Sequence, residues 1–125
     1  MGKSCIFFLP TIVCMAGGLT VNSARSDEMD YAIAGIGATS CATYTAKIQS
    51  DAGATDVFLD WSQGFLSGIN TGEIRAKKRT TFVALPDRRI IKTFVDGYCK
   101  ELPERSTSKA LIDLFDTFAA NPTSS

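Results

Sequence analysis

Residues 56–70 read DVFLDWSQGFLSGIN, and this stretch decides the fold. Its apolar side chains recur at steps of three and four residues, at Val57, Phe58, Trp61, Phe65, Leu66 and Ile69. Polar side chains fill the other side, at Asp60, Ser62, Gln63 and Ser67. This spacing is typical of an amphipathic helix that places one face on a core. We predict a helix that is capped by Thr55 or Asp56, runs to about Asn70 and is ended by Asn70, Thr71 and Gly72.

Two glycines, Gly64 and Gly68, lie inside this predicted helix. Each costs the helix roughly 1 kcal/mol relative to alanine, so we expect a packing reason for them. Because they are four residues apart, they form a smooth strip along one side. We predict that another helix of the same domain packs closely against this strip. The alternative is self-association through the strip, which would give a homodimer.

Two further amphipathic segments follow. Residues 87–102, DRRIIKTFVDGYCKEL, lie between two prolines. Pro86 suits the first turn of a helix, and Pro103 supplies the stop. Residues 106–121, STSKALIDLFDTFAAN, begin with three candidate N-caps. Their apolar stripes are Ile90, Ile91, Phe94, Val95 and Tyr98, and Ala110, Leu111, Leu114, Phe115 and Phe118. Residues 80–85, TTFVAL, are either a short strand or an extended connector.

A shorter helix is predicted before these three. Thr39 or Ser40 can cap residues 41–49, CATYTAKIQ, whose apolar positions Cys41, Tyr44 and Ile48 share one face. The sequence therefore predicts an all-α, four-helix domain over residues 40–120. A polar tail follows over residues 121–125.

Residues 1–26 have the features of a cleaved signal peptide. Lys3 gives a positive start, an apolar run follows, and small residues two positions apart lead to a cleavage site after Ser26. An uncleaved membrane anchor and a lipoprotein attached at Cys14 are the alternatives. After cleavage we expect a periplasmic or secreted protein without stable membrane insertion. Residues 27–39, which are rich in glycine and alanine after an acidic start, should form a flexible N-terminal arm.

Cleavage at this position leaves two cysteines, Cys41 and Cys99. An even pair in an oxidising compartment usually forms a disulfide. Closing so long a loop stabilises the fold by about 4 kcal/mol in the chain-entropy model. We therefore predict one disulfide between the first and third helices. Two free buried thiols are the alternative if export fails.

The composition argues against catalysis. The chain of 125 residues has no histidine, which is the usual general base at neutral pH and the commonest metal ligand. The carboxylate pairs Asp56–Asp60 and Asp113–Asp116 are typical of solvated helix faces. We therefore expect a protein that is not an enzyme and that uses neither a metal nor a cofactor.

Charge also limits the partners. The 13 basic residues balance 13 acidic ones, whereas a protein that coats nucleic acid needs a basic excess. Residues 75–79 contain Arg75, Lys77, Lys78 and Arg79. We interpret this basic stretch as a solvated loop. The alternative is a patch that steers an anionic partner or touches a lipid headgroup surface.

Three stretches carry a resemblance to known families: SCATY at 40–44, FLDWSQGFLSGIN at 58–70 and FVDGYCKELPERSTSKALIDLF at 94–115. The chain resembles small exported bacterial proteins of the HdeA-like and Rap/Tai-type immunity groups. By that resemblance, Cys41 and Cys99 match the disulfide cysteines. The aromatic and glycine positions of the second helix are matched by Trp61, Gly64, Phe65 and Gly68.

The resemblance implies a protein-binding function. HdeA-like proteins are acid-stress chaperones of the periplasm, and Rap/Tai-type proteins neutralise secreted toxins. In strong acid, protonation of 13 carboxylates would take residues 27–125 from a formal charge of −2 to +11, and self-repulsion would loosen the helices. An aromatic face would then bind unfolding client proteins, through Trp61, Phe65, Phe94 and Phe118. Neutralisation of a cognate toxin and inhibition of a periplasmic enzyme are the alternatives.

Overall fold

The structure is a computed structural model that describes residues 33–121. Within these residues it contains no strand and four α-helices: α1 (Cys41–Ser50), α2 (Ala54–Arg75), α3 (Arg88–Glu101) and α4 (Thr107–Ala120). The all-α prediction is confirmed. The predicted signal peptide, residues 27–32 of the predicted arm and residues 122–125 of the predicted tail lie outside the described residues.

Side-chain caps begin three of the four helices. In each case the cap oxygen accepts a hydrogen bond from the backbone amide three residues later. The pairs are Ser40 with Thr43, Asp87 with Ile90, and Ser106 with Lys109, at 3.2, 2.9 and 3.3 Å. The sequence analysis placed Pro86 in the first turn of α3. In the structure Pro86 instead precedes the cap residue Asp87. Ser40 and Ser106 were among the caps predicted for α1 and α4, whereas the cap Asp87 of α3 was not predicted.

Helix α2 is longer than predicted, because Asn70 does not end it. The Asn70 side chain is buried, and its amide nitrogen donates to the Val83 carbonyl at 2.8 Å. Its amide oxygen accepts from the Val83 N–H at 3.0 Å. The amide is thus satisfied by a residue 13 positions away, which leaves the helical ladder free to continue.

The true end of α2 is a Schellman motif. Lys77 adopts a left-handed φ of 58°, a conformation that glycine usually supplies at this position. The Lys77 N–H donates to Ile74 O at 3.0 Å, and the Lys78 N–H donates to Glu73 O at 2.9 Å. Because the motif uses lysine instead of glycine, the sequence pattern did not reveal it.

Residues 76–87 connect α2 to α3 without forming a strand, which resolves the open alternative for residues 80–85. Val83 is buried in the core, whereas its neighbour Phe82 is 66% exposed. Successive side chains of an extended chain point to opposite sides, so anchoring Val83 turns Phe82 outward.

One hydrophobic core joins all four helices. Its largest fully buried side chains are Tyr44, Phe58, Leu66, Ile91, Val95, Leu111, Leu114 and Phe115. The predicted stripes need three corrections. Val57 and Ile90 are 61% and 41% exposed, so neither belongs to the core. Ser62, assigned to the polar side, is fully buried and its hydroxyl donates to Phe58 O at 2.7 Å, which satisfies the hydroxyl inside the core.

The predicted flexible arm is packed where the structure describes it. Residues 35–38 form a 3₁₀ turn in which Gly37 is buried against Trp61. A side chain on Gly37 would overlap the indole, since an ideal Cβ would lie 1.7 Å from it. Thr107 holds the turn, because its hydroxyl donates to Gly37 O and its N–H to Thr39 O, both at 3.1 Å. The prediction of a loose arm is therefore wrong for this part.

Candidate functional site

The predicted disulfide is present. The two Sγ atoms of Cys41 and Cys99 are 2.03 Å apart, and their Cα atoms are 4.8 Å apart. Cys41 is the first residue of α1, and Cys99 lies in the last turn of α3. Both are buried. The bond therefore ties the start of α1 to the end of α3 across 58 positions.

A polar link joins the same two helices. The Tyr44 hydroxyl donates a 2.9 Å hydrogen bond to Oδ1 of Asp96, and Lys92 contacts the other carboxylate oxygen. Tyr44 is buried, and burial followed by the neighbouring Asp96 raises the pKa of its hydroxyl. Sequence analysis placed Tyr44 on an apolar stripe and missed this partner. A buried tyrosine hydroxyl usually has a hydrogen-bond partner, and this rule could have indicated that Tyr44 has one.

Helices α2 and α3 meet at an exposed ion-pair cluster centred on Arg88. This guanidinium contacts the carboxylates of Asp56, at 3.0 Å, and Asp60. The hydrogen bond to Asp60 is the main reason that the pKa of Arg88 is raised. The carboxylate pair predicted as a solvated helix face is indeed exposed, and it also binds a neighbouring helix.

Carboxylates also lie where α4 meets its neighbours. Glu73 of α2 binds Arg79, whose guanidinium reaches Ala119 O near the end of α4 at 3.5 Å. Asp113 of α4 lies beside Tyr98 of α3, and burial followed by this negative charge raises the pKa of the Tyr98 hydroxyl. The contacts of α3 with α1, α2 and α4 therefore each include a carboxylate, and Glu73 of α2 holds the connector arginine that reaches α4.

The four residues of the predicted aromatic face all lie against the core and are partly buried. Trp61 and Phe65 stack on each other with ring centroids 4.9 Å apart, next to the 3₁₀ turn. Phe94 stacks on Tyr98 at 6.2 Å. Among the described residues, the rings of Phe94 and Phe118 do not contact those of Trp61 and Phe65. The aromatic residues therefore border the core as separate groups.

The glycine strip does not serve the predicted purpose. Gly64 and Gly68 are exposed, and an ideal Cβ at either would have no neighbour within 4 Å. No helix in the described part of the chain packs against them, so the prediction of intramolecular packing is wrong. The physical reason is that α2 directs Phe58, Ser62 and Leu66 into the core, which leaves the glycines on the outer side. Self-association through the strip stays a prediction.

The basic stretch divides into two parts. Arg79 is engaged with Glu73, as described above. By contrast, Arg75, Lys77 and Lys78 are exposed, and their side chains make no ion pair or hydrogen bond within residues 33–121. Arg75 is the last residue of α2 and Lys77 and Lys78 follow it, where the negative end of the helix dipole favours positive charge.

The described residues contain no group of three or more Cys, Asp or Glu side chains placed to hold a metal ion. No helix among residues 33–121 is both long and apolar enough to cross a membrane. Comparison of the chain with family models, curated proteins and solved structures found no match.

Proposed function

We propose that this chain is an exported, non-enzymatic protein-binding protein that acts as an acid-stress chaperone, as its resemblance to HdeA-like proteins implies. The observation that carries the proposal is the use of carboxylates at the helix contacts described above. Asp96 links α3 to α1, and Asp56 and Asp60 link α2 to α3. Glu73 holds the arginine that reaches α4.

Acid removes the charge from these contacts. Since the chain has no histidine, its carboxylates are the side chains that change charge as the pH falls below about 4. Residues 33–121 contain 11 basic and 10 acidic side chains, so full protonation of the acids leaves a formal charge of +11. Repulsion among the remaining cations then opposes the compact state. Loss of the polar links and gain of repulsion both loosen the helices.

The disulfide is not affected by acid in this way. The Cys41–Cys99 bond is covalent, so it continues to hold α1 to α3 in acid. A loosened chain would therefore keep a compact topology and could refold on neutralisation. The bond also supports export, because disulfides persist in oxidising compartments.

Aromatic side chains supply the client-binding surface. Trp61, Phe65, Phe94 and Phe118 are partly buried against the core. A modest separation of the helices is enough to uncover them. Large aromatic surfaces bind the apolar segments of unfolding proteins because they bury 150–250 Å² each, as a rough guide.

The test is suppression of aggregation of a client that unfolds in acid, followed by light scattering from neutral pH to about pH 2, the range that includes carboxylate titration. We expect suppression only in acid. The variant D60N/D96N removes two of the linking charges and should begin to act at a higher pH. The matched control E101Q/E104Q changes two exposed carboxylates near the end of α3 and should act at the same pH as the natural chain. Absence of suppression at every pH, with the client shown to aggregate alone, would contradict the proposal.

A second candidate, a toxin-neutralising protein of the Rap/Tai type, is favoured by one observation. Val57 and Ile90 expose apolar surface in the folded protein, and they are close in sequence to Asp56 and Arg88 of the ion-pair cluster. A stable complex at pH 7 with a single secreted protein, lost in the variant V57S/I90S, would favour this function over the chaperone function. The matched variant F82S should leave such a complex intact.

A further inference from the structure

We propose that the end of α2 and the connector after it form a docking surface for an anionic lipid membrane. The surface consists of Arg75, Lys77, Lys78 and Phe82, and we name it the basic–aromatic surface. It is distinct from the aromatic residues that would bind clients, and the proposal does not depend on the chaperone function.

Three cations of the basic stretch are available to a ligand. Most ion pairs of the described residues use a cation elsewhere in the chain, such as Arg88 with Asp56 and Asp60. In the basic stretch only Arg79 is bound. The other three side chains are exposed and have no partner within residues 33–121. Three cations within four positions are therefore exposed to solvent.

Phe82 adds an exposed aromatic ring to the connector. At 66% exposure it is the most exposed large hydrophobic side chain in the described part of the chain. It is held outward because the next residue, Val83, is buried and bound in both directions by Asn70. Phe82 is therefore fixed in an exposed position by a buried anchor.

The fold keeps Phe82 near the cations. The Schellman motif reverses the chain after α2, and the Asn70–Val83 bonds bring the connector back beside the helix. Asn70 precedes Arg75 by five residues, or about 7.5 Å of helix rise. Phe82 follows Lys78 by four residues, so the two Cα atoms are at most about 14 Å apart. Phe82 therefore lies in the connector that directly follows the cations, with its Cα no more than about 14 Å from that of Lys78.

This combination suits an anionic bilayer. Cations near the surface attract anionic headgroups, while an aromatic ring enters the boundary between headgroups and acyl chains. An acidic polypeptide would satisfy the cations but has no apolar layer to receive Phe82. The exposed ring therefore favours the membrane over an acidic protein.

The test is co-sedimentation of the full protein at neutral pH and low salt with two kinds of vesicle. One is phosphatidylcholine alone, and the other is an equal mixture of phosphatidylcholine and phosphatidylglycerol. We expect binding to the mixed vesicles only. Each cation contributes about five-fold to partitioning, so the variant R75Q/K77Q/K78Q should bind roughly a hundred-fold more weakly. The variant F82A should lose about ten-fold through its apolar contribution alone.

A matched control separates the surface from net charge. The variant R89Q/K100Q/R105Q removes three exposed cations on α3 and in the connection to α4, and it should retain binding within a few-fold. Circular dichroism checks that each variant keeps its helices. Equal losses in the two triple variants would overturn the proposal. So would binding to soluble polyglutamate without binding to mixed vesicles, because the surface would then be a site for acidic protein.

Discussion

Tyr44 and Asp96 are joined by a 2.9 Å hydrogen bond from the phenol to the carboxylate, although 52 positions separate them in the chain. The bond crosses from α1 to α3, the same two helices that the Cys41–Cys99 disulfide connects. The two links differ in chemistry, because the hydrogen bond is accepted by a carboxylate and the disulfide is covalent. The functional proposal rests on carboxylate contacts of this kind between helices that a covalent bond also holds.

We expect Y44F to lower the free energy of unfolding by about 1 kcal/mol at neutral pH, since it removes one hydrogen bond to a charged but partly exposed group. Urea unfolding by circular dichroism measures the change. The difference from the natural chain should shrink in strong acid, because a protonated carboxyl group is a weaker hydrogen-bond acceptor than a carboxylate. A difference that persists unchanged in acid would show that the ring's packing, and not the bond to Asp96, is affected.

The same tyrosine should weaken the fold in alkali. Burial, and then Asp96, raises the pKa of Tyr44 above its ordinary value of 10.0, so the folded protein holds the phenolic proton more tightly than the unfolded chain. The resulting stability is complete below pH 10 and is lost as the pH rises further. The free energy of unfolding should therefore fall more steeply above pH 10 in the natural chain than in Y44F. Because Tyr98 and Lys109 also have raised pKa values, parallel curves for the two proteins would contradict the assignment to Tyr44.

Glycine-to-alanine substitutions should have opposite effects at two places. G64A and G68A should each raise the free energy of unfolding by about 0.5–1 kcal/mol, because the new methyl group has open space and alanine favours the helix. G37A should lower it, because the methyl group would overlap Trp61. Thermal unfolding compares the three variants. A loss of stability in G64A or G68A that depends on protein concentration would instead indicate that the strip is a self-association surface.

Asn70 should matter more than other polar residues of α2. N70A leaves the N–H and carbonyl of Val83 without their partner, and each unsatisfied buried group costs roughly 1–3 kcal/mol. We expect a lower free energy of unfolding and faster tryptic cleavage in the connector. S67A, an exposed position on the same helix, is the control and should change stability by less than about 0.5 kcal/mol. Equal cleavage rates in both variants would rule out the anchoring role of Asn70.

The sequence predicted those features whose causes are local. The caps Ser40 and Ser106 lie next to the helices they begin, and the apolar periodicity of α3 and α4 lies within each helix. The disulfide was predictable because only one pair of cysteines follows the predicted signal peptide. In each case the necessary information lies in a few neighbouring residues or in the number of cysteines.

The features that sequence analysis missed depend on distant partners. Asn70 resembles a helix stop until its partner Val83 is known. Gly37 resembles part of a loose arm until Trp61 is placed against it. For the candidate site, residue types indicated partly buried aromatic residues but not their separation into groups. The link between Tyr44 and Asp96 required the three-dimensional arrangement of α1 and α3.

The most direct test of the account is the accessibility of Trp61, the only tryptophan in the chain. With the disulfide intact, its fluorescence and its quenching by acrylamide should be measured as the pH falls from 7 to about 2, through the range in which carboxylates titrate. We predict a red shift and stronger quenching between about pH 4 and pH 2, both reversed on neutralisation. An emission maximum and a quenching constant that remain at their neutral values throughout would contradict acid-triggered exposure of the aromatic residues.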